Sequence, residues 1–80
     1  TPETLLQIIQ AQPDSADSLI VFGHNPGLTE FATALCDYPF GNIPTSGVVC
    51  IRFVVNAWQD ITYHQGELVF FEYPKKVQGS

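Results

Sequence analysis

The chain has 80 residues, 45% of them hydrophobic, and its eight Asp and Glu against three Lys and Arg give a formal charge of −5. A chain of this length forms one small domain that buries only about 60% of its unfolded surface. An acidic chain without a basic stripe argues against nucleic acid and anionic membranes as partners. No apolar run approaches the ~20 residues that span a bilayer, and no targeting segment is visible at the N-terminus.

The first segment, residues 1–12, is predicted to be a helix. Thr1 is a favoured N-cap, and Pro2 fits the first helical position. An apolar stripe follows at helical spacing, formed by Leu5, Leu6, Ile8 and Ile9. Pro13 ends the helix, and residues 14–18 form a polar loop that leads to the next element.

Residues 19–22, Leu-Ile-Val-Phe, are four consecutive apolar residues and predict a buried strand. The strand stops at Gly23 and His24. A helix is predicted to begin directly after it, because Asn25 is a favoured N-cap and Pro26 fits the first helical position. Apolar residues then recur at helical spacing, at Leu28, Phe31, Ala32, Leu35 and Cys36.

This order of elements puts His24 between the carboxyl end of a strand and the amino end of a helix. Open α/β sheets bind ligands at such a crevice, where unpaired helical N–H groups and the helix dipole favour anions. We therefore expect an anion site that contains the His24 imidazole. A histidine in this position can also cap the helix or bond to a carbonyl, and Asn25 is favoured as a cap over a catalytic group.

The next segment, residues 37–45, carries two prolines and a glycine and predicts a loop. At its end, Thr45, Ser46 and Gly47 precede a strand. They could line a pocket with hydroxyls and a closely approaching backbone, or they could form a turn. Both alternatives stay open from the sequence.

Two apolar runs follow, residues 48–55 and 68–73, joined by a connector that contains Gln65 and Gly66. They predict an antiparallel pair of strands. Within the connector, Trp58 and Ile61 add apolar surface, and Pro74 with two lysines ends the last strand. Two further residues are candidates for the surface: His64 in the connector, and Arg52, which either lines a site or pairs with a carboxylate.

The cysteines and histidines are too far apart to predict a zinc site. No two of them are closer than twelve positions, whereas structural zinc sites use short paired spacings. Cys36 and Cys50 stand alone on apolar patterns, which is typical of reduced, buried thiols in a cytoplasmic protein. We therefore expect no metal site to be formed by the histidines and cysteines of the chain, which are His24, Cys36, Cys50 and His64.

The residues around His24 resemble a known family. Residues 21–32, Val-Phe-Gly-His-Asn-Pro-Gly-Leu-Thr-Glu-Phe-Ala, are followed by residues 42–47, Asn-Ile-Pro-Thr-Ser-Gly, and a strand. This pattern is similar to the C-terminal half of a histidine phosphatase of the phosphohistidine phosphatase SixA type, in the phosphoglycerate mutase-like superfamily. The resemblance implies a three-layer α/β/α fold, of which residues 1–80 form a partial helix–strand–helix–strand–strand unit.

The resemblance also implies a site and a reaction. His24 corresponds to the second catalytic histidine of the family, which holds the transferring phosphoryl group opposite the nucleophile. The substrate would be a phosphorylated small molecule or a phosphohistidine protein, with no metal or organic cofactor. The residues expected to bind phosphate or substrate beside His24 are Gly23, Asn25, Thr45, Ser46 and Gly47.

One departure from the family limits what the chain can do alone. The Arg-His-Gly motif that supplies the nucleophilic histidine and a phosphate-binding arginine is absent, and Arg52 lies between Ile51 and Phe53 instead. One arginine and two lysines cannot build the cationic clamp that phosphoryl transfer requires. We therefore expect half of a catalytic domain, inactive by itself, whose partner is the missing N-terminal half or a second copy. The alternative is a non-catalytic anion-binding or assembly module.

Overall fold

Two helices and a two-stranded antiparallel sheet form the structure, a computed structural model that describes residues 1–22 and 24–74. The fold class is therefore a small mixed α/β arrangement. Lys75 and Lys76, expected after the last strand, lie outside the described residues, as does Gly23. Along the chain the elements are α1 (Pro2–Gln10), α2 (Gly27–Cys36), β1 (Val48–Arg52), a 3₁₀-helix (Trp58–Asp60) and β2 (Glu67–Glu72).

Helix α1 begins where its sequence signals predict, and it ends at Gln10, two residues before the predicted end. The Thr1 hydroxyl accepts a hydrogen bond from the Thr4 amide at 3.3 Å, and proline occupies the first turn, where a missing N–H costs nothing. Its buried residue, Ile9, faces the core. The Gln10 side chain donates to the Ile61 carbonyl at 2.7 Å, which ties the end of α1 to the chain after the 3₁₀-helix.

Helix α2 lies at the centre of the core because two of its faces are buried. One face, with Phe31 and Leu35, packs against Ile9 of α1 and Ile61. The other face, with Ala32, packs against the loop and the sheet through Phe40, Ile43, Val49, Ile51, Leu68 and Phe71. The apolar periodicity of residues 28–36 is therefore the sequence signal of a helix buried on two sides.

Strands β1 and β2 confirm the predicted antiparallel pair. Val48 lies opposite Glu72, Arg52 lies opposite Glu67, and a bulge between Cys50 and Ile51 shifts the register. The predicted strand of residues 48–55 ends early, at Arg52. Because β2 begins at Glu67, the residue paired with Arg52, the residues after Arg52 have no strand to pair with.

The prediction of a buried strand at residues 19–22 is wrong. Leu19 and Val21 do pack against the core, while Ile20 is 78% and Phe22 is 88% exposed, so the side chains alternate as they would in a strand. However, no backbone hydrogen bond joins these residues to another described residue. A strand needs a neighbour for its N–H and C=O groups, and β1 and β2 pair with each other instead.

The connector between the strands closes the C-terminal end of α2. The His64 and Gly66 amides each donate at 2.8 Å to the last carbonyls of the helix, those of Ala34 and Leu35. These are the acceptors that a helix end leaves without an intrahelical partner. The long connector is therefore packed against α2 rather than extended into solvent.

Candidate functional site

His24 lies at the amino end of α2 with its side chain exposed. Its backbone carbonyl accepts the Leu28 amide at 3.0 Å, so helical hydrogen bonding already starts at this residue. The regular helix begins at Gly27, one residue later than predicted, after a cis peptide bond between Asn25 and Pro26. The imidazole is therefore held at the start of a helix and is accessible from solvent.

Asn25, and not His24, caps the helix. Its carboxamide oxygen accepts the Thr29 amide at 3.1 Å and the Thr29 hydroxyl at 2.6 Å. The N-cap position itself is Pro26, one residue later than predicted, so Asn25 supplies a capping acceptor from the position before it. The amide group of the Asn25 side chain has a second partner. That group donates to the Ile43 carbonyl at 2.6 Å, and the Ile43 amide in turn donates to the Thr29 hydroxyl at 3.0 Å.

The amides of the first turn of α2 are less available to an anion than the sequence suggests. The amides of Leu28, Thr29 and Glu30 already donate to acceptors within residues 24–26. The Glu30 carboxylate, in the same turn, adds a negative charge that favours the helix but opposes a bound anion. An anion at this end would therefore depend mainly on the His24 side chain and on donors from another segment.

Residues 44–47, which precede β1, form a turn. A turn was one of the two alternatives that the sequence left open for Thr45, Ser46 and Gly47. The Gly47 amide donates to the Pro44 carbonyl at 2.9 Å, and Ser46 has a positive φ of 68°. A Cβ on Gly47 would lie 2.9 Å from the Pro44 carbonyl oxygen, so only glycine fits the turn without a shift. Thr45 and Ser46 lie on the surface, where their hydroxyls can be reached.

The structure links two of the predicted groups of site residues. His24 and Asn25 lie at the start of α2, and Thr45, Ser46 and Gly47 follow Ile43, which is hydrogen-bonded to the same helix end. Gly23, the remaining predicted site residue, lies outside the described residues. Thr29, which is buried, was not among the predicted site residues. The sequence signal that could have identified it is a hydroxyl residue three positions before Ala32, on a helix face that is otherwise apolar.

The other two candidates lie away from this end. Arg52 forms an ion pair with Glu67 at 3.3 Å in which both side chains are mostly exposed, so solvent screens it. His64 is exposed and bonds through Nδ1 to the Asp37 carboxylate, at the C-terminal end of α2. A helix of 10 residues is about 15 Å long, which separates the two histidines along its axis.

Both cysteines are half-buried free thiols. Burial raises the pKa of the Cys36 thiol, and the Asp37 charge raises it too, while a backbone hydrogen bond at Tyr38 acts in the opposite direction. Cys36 therefore stays protonated at neutral pH and is a weak nucleophile. Across residues 1–22 and 24–74, no group of three or more His, Cys, Asp or Glu side chains is arranged to hold a metal ion.

A membrane-spanning helix is not found in the part of the chain that the structure describes, since neither α1 nor α2 has the necessary length and apolar content. Comparisons of the chain with protein-family models, with curated proteins and with solved structures found no match.

Proposed function

We propose that the chain is the C-terminal half of a histidine phosphatase domain with the three-layer phosphoglycerate mutase-like fold. Its parent protein, meaning the product of the gene that encodes this chain, would hydrolyse phosphohistidine or a phosphomonoester through a phosphohistidine intermediate. The observation that carries the proposal is an exposed His24 at the amino end of α2, inside a sequence that resembles the second catalytic motif of that family. The hydrogen bonds between this helix end and Ile43 support it further.

The proposed reaction divides the work between two histidines. A histidine outside residues 1–80 attacks phosphorus, the bond to the leaving group breaks, and water then hydrolyses the phosphorus–nitrogen bond that formed. His24 donates a hydrogen bond to the oxygens of the transferring group, where negative charge develops. The hydroxyls of Thr45 and Ser46 are further donors in the segment linked to the same helix end.

The alternative is a module that binds an anion, or a partner, without catalysis. It is favoured by the ion pair that engages Arg52, the single arginine of the chain. Because the amides of Leu28, Thr29 and Glu30 are already hydrogen-bonded within the chain, they favour a partner over an anion as the occupant of such a module. The codons that precede Thr1 in the parent gene discriminate between the two. An Arg-His-Gly sequence there supports the phosphatase, and a parent protein without this motif supports the alternative.

The isolated chain of 80 residues is expected to hydrolyse no phosphomonoester. Its single arginine is paired with Glu67, and the proposed nucleophile lies outside the chain, so neither the attack nor the charge clamp can be assembled. A generic aryl phosphate assay at neutral pH measures this. Turnover above background that disappears in His24→Ala would show that the chain is catalytically complete and that it is not half of a site.

The isolated chain is also expected to associate through residues 19–22. Ile20 and Phe22 are exposed, the backbone of this segment has no backbone partner in the described structure, and such an edge pairs readily with another chain. We propose the missing N-terminal half as its partner in the parent protein, and a second copy when the chain is alone. Sedimentation at micromolar concentration should therefore show species larger than a monomer.

A matched pair of variants tests where the association occurs. Phe22→Lys puts a charge on the unpaired segment and should shift the chain towards monomer. Val54→Lys changes a residue that is 83% exposed elsewhere and should leave the association unchanged. A monodisperse wild-type monomer with slow hydrogen exchange at residues 19–22 would contradict the prediction, as would equal effects of the two lysines.

A further inference from the structure

Four hydrogen bonds link Asn25, Thr29 and Ile43: two of them cross from the amino end of α2 to the loop before β1, and two lie within the helix end. The cap is the bond from the Thr29 amide to the Asn25 carboxamide oxygen. In the other three bonds, the Thr29 hydroxyl donates to that same oxygen, the Ile43 amide donates to the hydroxyl, and the Asn25 amide group donates to the Ile43 carbonyl. Both backbone groups of Ile43 are thus bound by side chains at the amino end of α2, those of Thr29 and of Asn25, which precedes the helix.

Apolar burial already holds this loop against the core, so the polar bonds have a different effect. The Ile43 and Phe40 side chains are buried with Ala32, which fixes the distance between loop and helix. Apolar contact is not directional, whereas hydrogen bonds to both backbone groups of one residue fix its orientation. The bonds therefore determine the direction in which the chain leaves Ile43.

The direction of the chain at Ile43 also fixes the positions of Thr45 and Ser46, because the backbone between them is constrained. Pro44 follows Ile43 with a restricted φ, and the Gly47 amide closes the turn on the Pro44 carbonyl at 2.9 Å. We propose that Thr29 and Asn25 are positioning residues that orient this turn towards the His24 end of α2, so that its hydroxyls bind the phosphate of the substrate. The inference rests on the proposed function and assigns to Thr29 a role that the sequence pattern does not indicate.

The test uses Thr29→Val, which keeps the shape and the backbone amide but removes the hydroxyl, with Thr29→Ser as the control that restores it. In the 80-residue chain, the Ile43 amide should exchange about tenfold faster in Thr29→Val, because its acceptor is gone. The Leu35 amide, inside α2, should be unchanged, and Thr29→Ser should match the wild type. Unchanged exchange at Ile43 in Thr29→Val would overturn the proposal.

A second readout in the parent protein separates positioning from stability. Phosphate contacts made in both ground and transition states affect KM, so Thr29→Val should raise the KM for a phosphorylated substrate about tenfold and change kcat little. A merely structural role would reduce the amount of active enzyme and lower the apparent kcat at constant KM. A wild-type KM in Thr29→Val, in an active parent, overturns the inference alone.

Two further outcomes are distinguishable from these. A wild-type parent protein without phosphatase activity overturns the proposed function, and the positioning role falls with it. If Thr29→Val does not fold, Asn25→Asp serves as the second variant, because it keeps the acceptor that caps α2 and loses the donor to the Ile43 carbonyl. The bond lost in this variant holds the Ile43 carbonyl and not its amide, so the readout is the Gly47 amide that closes the turn. Faster exchange at Gly47 with an unchanged Leu35 amide would support the proposal, and unchanged exchange would overturn it.

Discussion

Replacing His24 with alanine in the parent protein is expected to lower kcat by about 10²–10³. The imidazole is proposed to contact the phosphoryl oxygens mainly in the transition state, so its loss resembles the loss of one oxyanion-hole donor. Stability should hardly change, because the side chain is exposed and the helix is capped by Asn25. Steady-state kinetics with a phosphorylated substrate and a thermal melt of the same preparation measure both quantities.

The matched control for His24→Ala is His64→Asn. His64 is also exposed, but it lies at the opposite end of α2, and its positive φ of 67° is one that asparagine tolerates. This variant should keep the wild-type kcat. An unchanged kcat in His24→Ala would remove the proposed catalytic role, and a lowered melting temperature as the only effect would make His24 a structural residue.

Gly66→Ala is expected to destabilise the chain by about 3 kcal/mol. An added Cβ would overlap the Ile51 side chain and would lie 3.0 Å from both the Leu35 carbonyl oxygen and the Phe53 ring. Ile51 packs in the core and the Leu35 oxygen is backbone, so neither can move away cheaply. The shift would also strain the hydrogen bond from the Gly66 amide to Leu35.

Gly27→Ala is the control, because a Cβ at Gly27 has no neighbour within 4 Å and alanine favours a helix. We expect this variant to be as stable as the wild type or more so. Urea denaturation of both variants measures the difference, and for so small a domain a loss of 3 kcal/mol should lower Tm by more than about 10 °C. Equal denaturation midpoints would show that the connector does not pass closely between α2 and β1.

The helices and the hairpin could be predicted because their signals are local. The cap at Thr1, the apolar spacing along α2 and the two β-branched runs each specify an element within a few residues of itself. The failure at residues 19–22 has a different cause. Their apolar composition predicts side-chain burial, and Leu19 and Val21 do pack against the core. A strand also needs a neighbouring strand for its backbone hydrogen bonds, which composition does not predict.

The candidate site was predictable only in its local part. Asn25 before a proline and a helical run is a cap signal that needs no tertiary information, and its carboxamide oxygen does accept the Thr29 amide, although Pro26 occupies the N-cap position. The bond from Asn25 to Ile43 joins residues 18 positions apart and depends on how the loop folds back. In the same fold the amides of Leu28, Thr29 and Glu30 are hydrogen-bonded within the chain, whereas the sequence pattern predicted unpaired N–H groups at this helix end.

The most direct test of the account is to find where phosphate is bound covalently during turnover. The parent protein is mixed with a radiolabelled phosphorylated substrate, quenched in base, where phosphohistidine survives, and digested to map the label. We expect an acid-labile label on a histidine outside residues 1–80, in an Arg-His-Gly sequence. The label should form more slowly in His24→Ala and at the wild-type rate in His64→Asn. A label on His24 or His64, or turnover without any labelled histidine, would contradict it.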